Sequence, residues 1–206
     1  MKKILFVVLC LLCFCISSYA ENLYSLSLAR ENIKESIGNN TVKFELNGLT
    51  FNSYTFKEKY SKIGMYSDIS ILLIDECSFE YYGQKITLDS SDFEKYFHSR
   101  TGIGLAFRHQ LSSSSSLIGG VGGVFSASAR ELSNISSALF DLGGSAHVAL
   151  LLYFNTDFYL RIGAVGGVDI WRYGMVSDGT NSISETVDDF SQTYIRPHIG
   201  LGIVGR

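Results

Sequence analysis

Hydrophobic and polar side chains alternate along much of this chain with a period of two. From Phe140 the even positions read Phe140, Leu142, Gly144, Ala146, Val148, Leu150, Leu152 and Phe154, against Asp141, Gly143, Ser145, His147, Ala149, Leu151 and Tyr153. From Phe158 the even set Phe158, Leu160, Ile162, Ala164, Val168 and Ile170 opposes Tyr159, Arg161, Gly163, Val165, Asp169 and Trp171. Successive side chains of a strand point to opposite faces, so each run predicts a strand with one apolar face. Asn155-Thr156-Asp157 between the runs predicts a hairpin. The same division sets Ile195, Ile199, Leu201 and Ile203 against Arg196, His198, Gly200 and Gly202, and Ile103, Leu105 and Phe107 against Gly102, Gly104 and Arg108. It also sets Ile63, Met65, Ile69, Ile71 and Leu73 against Gly64, Tyr66, Asp68 and Ser70, and Tyr24, Leu26 and Leu28 against Ser25, Ser27 and Ala29. A Gly-rich stretch, 117–129, keeps Leu117, Val121 and Phe125 on one parity. Between Thr41 and Phe56 the phase slips at Asn47-Gly48: Val42, Phe44 and Leu46 are even, Leu49 and Phe51 odd, which predicts a bulge or an extra hairpin.

Strands at 22–30, 42–56, 62–74, 101–111, 116–129, 138–153, 157–172 and 192–205 leave short connections at 57–61, 112–115 and 154–156 and longer ones at 31–41, 75–100, 130–137 and 173–191. Every longer connection falls on one rim. That arrangement predicts an all-β fold, an eight-stranded antiparallel up-and-down transmembrane β-barrel. The polar parity decides between a membrane barrel and a soluble one. A water-facing surface would be rich in Lys and Glu, whereas this parity is mainly Gly, Ser and Tyr with isolated charges such as Asp68, Arg108, Asp141, Arg161, Asp169 and Arg196. Such a set suits a narrow lumen in which opposite charges pair. The apolar positions from Phe140 to Phe154 cover roughly 35 Å after tilt, enough to cross an apolar band of about 25 Å. Phe140, Phe154 and Phe158 fall near its ends, as an aromatic girdle would. The alternative is a secreted or periplasmic soluble barrel holding an apolar ligand.

Composition agrees with partial withdrawal from water: of 206 residues 46% are hydrophobic and only 18% charged, with 14 Phe and 12 Tyr. The start, Met1-Lys2-Lys3, an apolar run from Ile4 to Cys15, and Ser18-Tyr19-Ala20 before Glu21 predict a secretory signal peptide at 1–20 and a barrel domain at 21–206. The apolar run is shorter than the roughly 20 residues of a spanning helix. Cys10, Cys13 and Cys15 lie within the signal, leaving Cys77 alone in the mature chain, with no disulfide. Loss of Lys2 and Lys3 leaves 15 Lys and Arg against 20 Asp and Glu, a net charge of −5, which argues against nucleic acid as a partner.

The strand pair Phe140 to Trp171 with its Asn-Thr-Asp turn, the terminal segment Tyr194 to Val204 and the signal peptide together resemble the small eight-stranded bacterial outer-membrane barrels, the OmpA-like and OmpX-like barrel domains. The resemblance implies residence in the cell outer membrane, contact with outer-membrane lipid, and insertion by the barrel-assembly machinery. Members of that group commonly end on an aromatic residue; here His198-Ile199-Gly200 and Ile203 fit the approach to that signal, and Gly205 and Arg206 occupy the end.

Little in the sequence points to catalysis, a cofactor or a metal, and none is expected. Gly200-Leu201-Gly202-Ile203-Val204-Gly205 matches the dinucleotide fingerprint but has no following helix or acidic residue, and Gly119 to Gly123 lacks the Lys of a phosphate loop, so both read as barrel wall. His98, His109, His147 and His198 show no metal-ligand spacing. Ser145, two residues before His147 on the inward parity, allows a hydrolase to be imagined, because the resembling group includes lipid-modifying enzymes; lumen side chains that pair to close the wall are the preferred reading. Ser112 to Ser116 reads as a tight turn. Residues 75–100 and 173–191 carry Asp75, Glu76, Glu80, Asp89, Asp92, Glu94, Asp178, Glu185, Asp188 and Asp189 with interleaved aromatics. An extracellular partner at these acidic loops is the remaining functional expectation.

Overall fold

The alternating segments fold as strands of one sheet that closes on itself. The computed structural model describes residues 21–38, 40–58, 61–81, 84–133 and 135–205; the expected signal peptide and its cysteines lie outside them. In chain order the strands are β1 (Glu21–Ile37), β2 (Asn40–Phe56), β3 (Ile63–Tyr81), β4 (Gln84–Asp89), β5 (Lys95–Ser112), β6 (Ser115–Leu132), β7 (Ile135–Tyr153), β8 (Phe158–Ser177), β9 (Ser182–Thr186) and β10 (Phe190–Gly205). Eight of them form the wall, in the antiparallel order β10-β1-β2-β3-β5-β6-β7-β8, and β8 closes it on β10. Closure removes the two long edges that an open sheet of this kind would expose.

The expected short turns at 112–115 and 154–156 are present on the rim that holds both ends of the wall. At the β7–β8 turn, Asn155 Oδ1 accepts the backbone N–H groups of Asp157 and Phe158, both at 2.8 Å, which fixes the chain reversal. The Ser112 turn is held by Ser114 N–H donating to Ser112 Oγ at 3.2 Å.

The other rim corrects the expected loops. Residues 31–41 and 130–137 are not long loops: β1 runs to Ile37, β2 starts at Asn40, β6 runs to Leu132 and β7 starts at Ile135. These are tight hairpins, turning through left-handed backbone at Gly38 (φ 55°) and Ser133 (φ 49°). Residues 75–100 fold largely as a β3–β4 hairpin, a short 3-10 turn at Ser90–Asp92 and the start of β5, and 173–191 as a β8–β9 hairpin leading into β10.

The phase slip expected at Asn47-Gly48 is also corrected. β2 keeps one parity throughout, its even residues inward from Phe44 to Phe56. What changes is chemistry. Below Gly48 the outward residues are Leu49 and Phe51, and above it they are Lys43, Glu45 and Asn47, while Phe44 and Leu46 turn inward. β1 inverts in the same way, from outward Leu26 and Leu28 to outward Arg30, Asn32 and Lys34. The nearest bulge lies on β3, where Asp75 is the extra residue between the pairs Leu46↔Ile74 and Glu45↔Glu76. A second bulge on β8 places both Ile170 and Trp171 outward and brings Arg172 inward, so Trp171 does not share the lumen parity with Asp169.

The outward surface is therefore an apolar belt capped by a polar collar. On β7 the exposed or half-exposed apolar positions run from Leu152 to Leu142, about 25 Å at 3.3 Å per residue and a tilt of about 40°. Phe125 and Phe140 stack at 6.2 Å near the upper edge of the belt, and Tyr24 and Phe51 at 6.3 Å lower down.

Candidate functional site: the lumen and the outer rim

Inward positions of the wall fill the lumen. Towards the short-turn rim Leu23, Tyr54, Phe56, Ile118, Leu151 and Tyr159 form an apolar and aromatic plug. Towards the hairpin rim a second apolar cluster, with Ile33, Phe44, Leu46, Leu72, Ile74 and the free Cys77, lines the β1 to β3 side. Glycines on the inward parity make room for neighbouring rings: a side chain at Gly202 would strike the Tyr159 ring, and one at Gly120 the His147 ring.

Between and beside these clusters lies a network of buried charge. Arg100, Arg161, Arg172 and Arg196 are at most 1% exposed. Arg100 donates to Asp169 at 2.7 Å and to Glu31 at 3.2 Å. Arg196 pairs with Asp68, donates to Ser70 Oγ and reaches Glu31 at 3.5 Å. Arg172 holds Asp141 at 2.6 Å and Glu35 at 2.6 Å, and Arg130 approaches Glu35 at 3.4 Å. With Arg161 the network has five arginines against the five carboxylates Glu31, Glu35, Asp68, Asp141 and Asp169. Guanidinium groups also stack on rings, Arg100 on Tyr194 at 3.7 Å and Arg172 on Phe190 at 4.0 Å.

Arg161 and Asp169 point into the lumen as their parity predicts, and neither pairs with the inward ion of opposite sign on the adjacent strand, Asp141 or Arg196. Arg161 donates to Asn52 Oδ1 and, at 2.8 Å, to Tyr54 Oη across the lumen. Asp169 takes Arg100 and Gln192, and Asp141 takes Arg172, a residue that the β8 bulge moves inward and that simple alternation leaves outside.

His98, His147 and His198 face inward, while His109 is exposed near the short-turn rim. His98 Nε2 lies 3.7 Å from Glu31. Ser145 Oγ is 3.2 Å from Tyr66 Oη, and the His147 ring packs edge-on against Tyr66 at 4.3 Å, so these residues serve the lumen packing. Among the described residues no three His, Cys, Asp or Glu side chains converge as a metal ion would require.

The hairpin rim carries the acidic residues. β9 is exposed along its whole length, and among the described residues it pairs only with β8, at the end of the strand order. In the turn between them Asp178 Oδ1 accepts the N–H groups of Thr180 at 2.9 Å and Asn181 at 2.7 Å, which hold its carboxyl below the usual Asp range.

No protein-family model and no curated protein sequence matches the chain. Solved structures do. The outer membrane protein OprG from Pseudomonas aeruginosa superposes with a TM-score of 0.62 at 9% identity, over 91% of this chain and 96% of that one. Neisserial surface protein A superposes at 0.53 with 10% identity, over 88% of this chain and 96% of that one. The chain has the fold of the small outer-membrane β-barrels. A major outer membrane protein from Thermus thermophilus matches the same barrel at 0.52 with 10% identity, over 87% of this chain and 99% of that one. At such identities the likeness rests on the closed, up-and-down wall.

Proposed function

We propose that the protein is an integral outer-membrane barrel with a closed lumen, which presents acidic hairpins outside the membrane for a surface-binding or structural role. The observation that carries this reading is the belt: outward apolar residues cover about 25 Å of wall and give way, on β1 and β2, to Arg30, Asn32, Lys34, Lys43 and Glu45. A barrel standing in water would expose Leu28 at 67%, Leu201 at 65% and Ile63 at 62% without cover. The filled lumen supports the same reading against a soluble carrier, because charged pairs and rings occupy the space an apolar ligand would need.

The hairpin rim suits a cationic partner. The segment 173–191 carries Asp178, Glu185, Asp188 and Asp189 with no Lys or Arg to offset them, and the outer edge of β9 can accept an extended chain by backbone pairing. Cell fractionation tests the membrane reading: recovery only with detergent, with gel mobility that changes on boiling, is expected, and full solubility in buffer alone overturns it.

A further inference from the structure

The β8–β9 hairpin continues above the closed wall. β10 leaves β8 at Gln192↔Asp169 and β1 ends opposite Phe190, whereas β9 pairs with β8 from Tyr173↔Thr186 up to Ser177↔Ser182. Two bonds fix the phase of this hairpin: Val187 N–H donates to the Arg172 carbonyl at 3.0 Å, and Asp178 N–H to the Asn181 carbonyl at 3.2 Å. In an antiparallel pair such bonds recur at every second residue, so the main chain of Ile183 and Glu185 turns to β8. The N–H and C=O groups of Ser182, Ser184 and Thr186 therefore turn to the outer edge. Edge strands are commonly blunted by Lys or Pro, and β9, Ser-Ile-Ser-Glu-Thr, has neither.

The two faces of β9 differ. Ser182, Ser184 and Thr186 share one face, Ile183 and Glu185 the other. Ile183, 67% exposed, stands beside Val176, 47% exposed, on a hairpin above the apolar belt. Glu185, Asp188 and Asp189 are exposed, and the segment 173–191 has no Lys or Arg. Of the cations on adjoining strands, Arg172 is buried against Asp141 and Glu35, and Lys95 is held by Glu131 at 2.7 Å.

We propose that β9 takes up a further strand: an extended segment of another protein, antiparallel to β9, with Lys or Arg two residues before an apolar residue. The inference rests on the surface-binding reading above and names the partner by its sequence pattern. A strand added there pairs its main chain with Ser182, Ser184 and Thr186. Residues opposite Ile183 and Glu185 then fall at positions without hydrogen bonds, where facing side chains approach most closely. An apolar side chain opposite Ile183 covers it and Val176, and a cation opposite Glu185 meets the acidic side of the hairpin. Antiparallel order sets that cation nearer the N-terminus of the segment, and Asp188 and Asp189 attract a second cation ahead of it.

Fluorescence anisotropy of labelled Lys-Thr-Lys-Thr-Val-Thr, with the full barrel in detergent micelles, tests it. Val-Thr-Lys-Thr-Lys-Thr has the same composition with the apolar residue first. N-methylation of the Thr between Lys and Val in the parent peptide keeps every side chain and removes the donor opposite Ser184. Each change is expected to weaken binding at least tenfold. Glu185→Lys should weaken the parent peptide about tenfold and favour Lys-Thr-Glu-Thr-Val-Thr, whereas Glu58→Lys at the short-turn rim, an equal change of charge, should alter neither. Glu185→Gln, expected to weaken the parent peptide, replaces Glu185→Lys if the gel shift shows that variant unfolded. Equal binding of the N-methylated or reordered peptide overturns the added strand and leaves only an acidic rim that attracts cations. Absence of binding by any peptide, or equal loss in Glu58→Lys, also overturns it. A barrel that needs no detergent overturns the membrane reading, whereas a detergent-requiring, heat-modifiable barrel that fails these peptide tests overturns this inference alone.

Discussion

Single lumen arginines differ in what their removal leaves behind. Arg196→Ala strips the buried Asp68 of its cation and weakens the hold on Glu31, so it should cost about 3–5 kcal/mol of stability, as loss of one partner of a buried pair does. Arg161→Ala leaves the neutral Asn52 and Tyr54 unsatisfied and should cost less, about 1–3 kcal/mol. Urea unfolding in micelles, followed by the heat-sensitive gel shift, ranks the two; a greater loss in Arg161→Ala contradicts the assigned partners. On the outward face Ile162→Arg should cost up to about 2–4 kcal/mol in a bilayer if that site lies near the midplane. The same unfolding assay in vesicles reads it, and a neutral effect means that Ile162 does not face lipid.

Along one strand the decisive feature is where the two faces exchange character. Single-cysteine variants along β1 in a Cys77→Ser background, treated with a membrane-impermeant maleimide, should label at 30, 32 and 34 and stay protected at 26 and 28. Labelling at 28 as fast as at 34 would move the upper edge of the belt. In the β8–β9 turn the depressed carboxyl of Asp178 makes its contribution above the ordinary Asp range, and that contribution is lost as pH falls through the lowered value. The Thr180 and Asn181 amide resonances should therefore shift together only below about pH 4, and not at all in Asp178→Ala. The same exchange of faces sets the limit of what alternation reveals. Where the outward face stays apolar, from Leu142 to Leu152 or Ile195 to Ile203, period two yields strand and facing together. Past Leu28 and Leu49 the outside becomes polar and the inside partly apolar, so a search for a continuing apolar stripe stops while the strand continues. The bulges at Asp75 and Ile170 leave no mark in composition, which is why alternation misses Arg172 as a lumen cation and puts Trp171 inside. The interruption of the β1–β10 ladder opposite Pro197 and Arg196 is foreshadowed by Pro197 alone, since a proline in a central strand removes a ladder donor.

At the scale of the whole barrel, eight strands leave room inside only for side chains, and here plugs and ion pairs occupy it. Planar-bilayer recordings should show no large, steady conductance; such a current would require a lumen emptier than the one described. The pairing of lumen arginines with carboxylates far away in the chain also bears on the order in which the molecule can assemble. Arg196 reaches back 128 residues to Asp68 and 165 to Glu31, and Arg100 reaches forward 69 to Asp169. No nascent hairpin contains both members of these pairs. Until β10 docks on β1, the partly built wall carries unmatched ions on its concave side, and hydrocarbon is the worst solvent for them. Closure of the last seam is therefore the step at which Arg196 first meets Asp68 and Glu31 and the lumen charges come to hold one another.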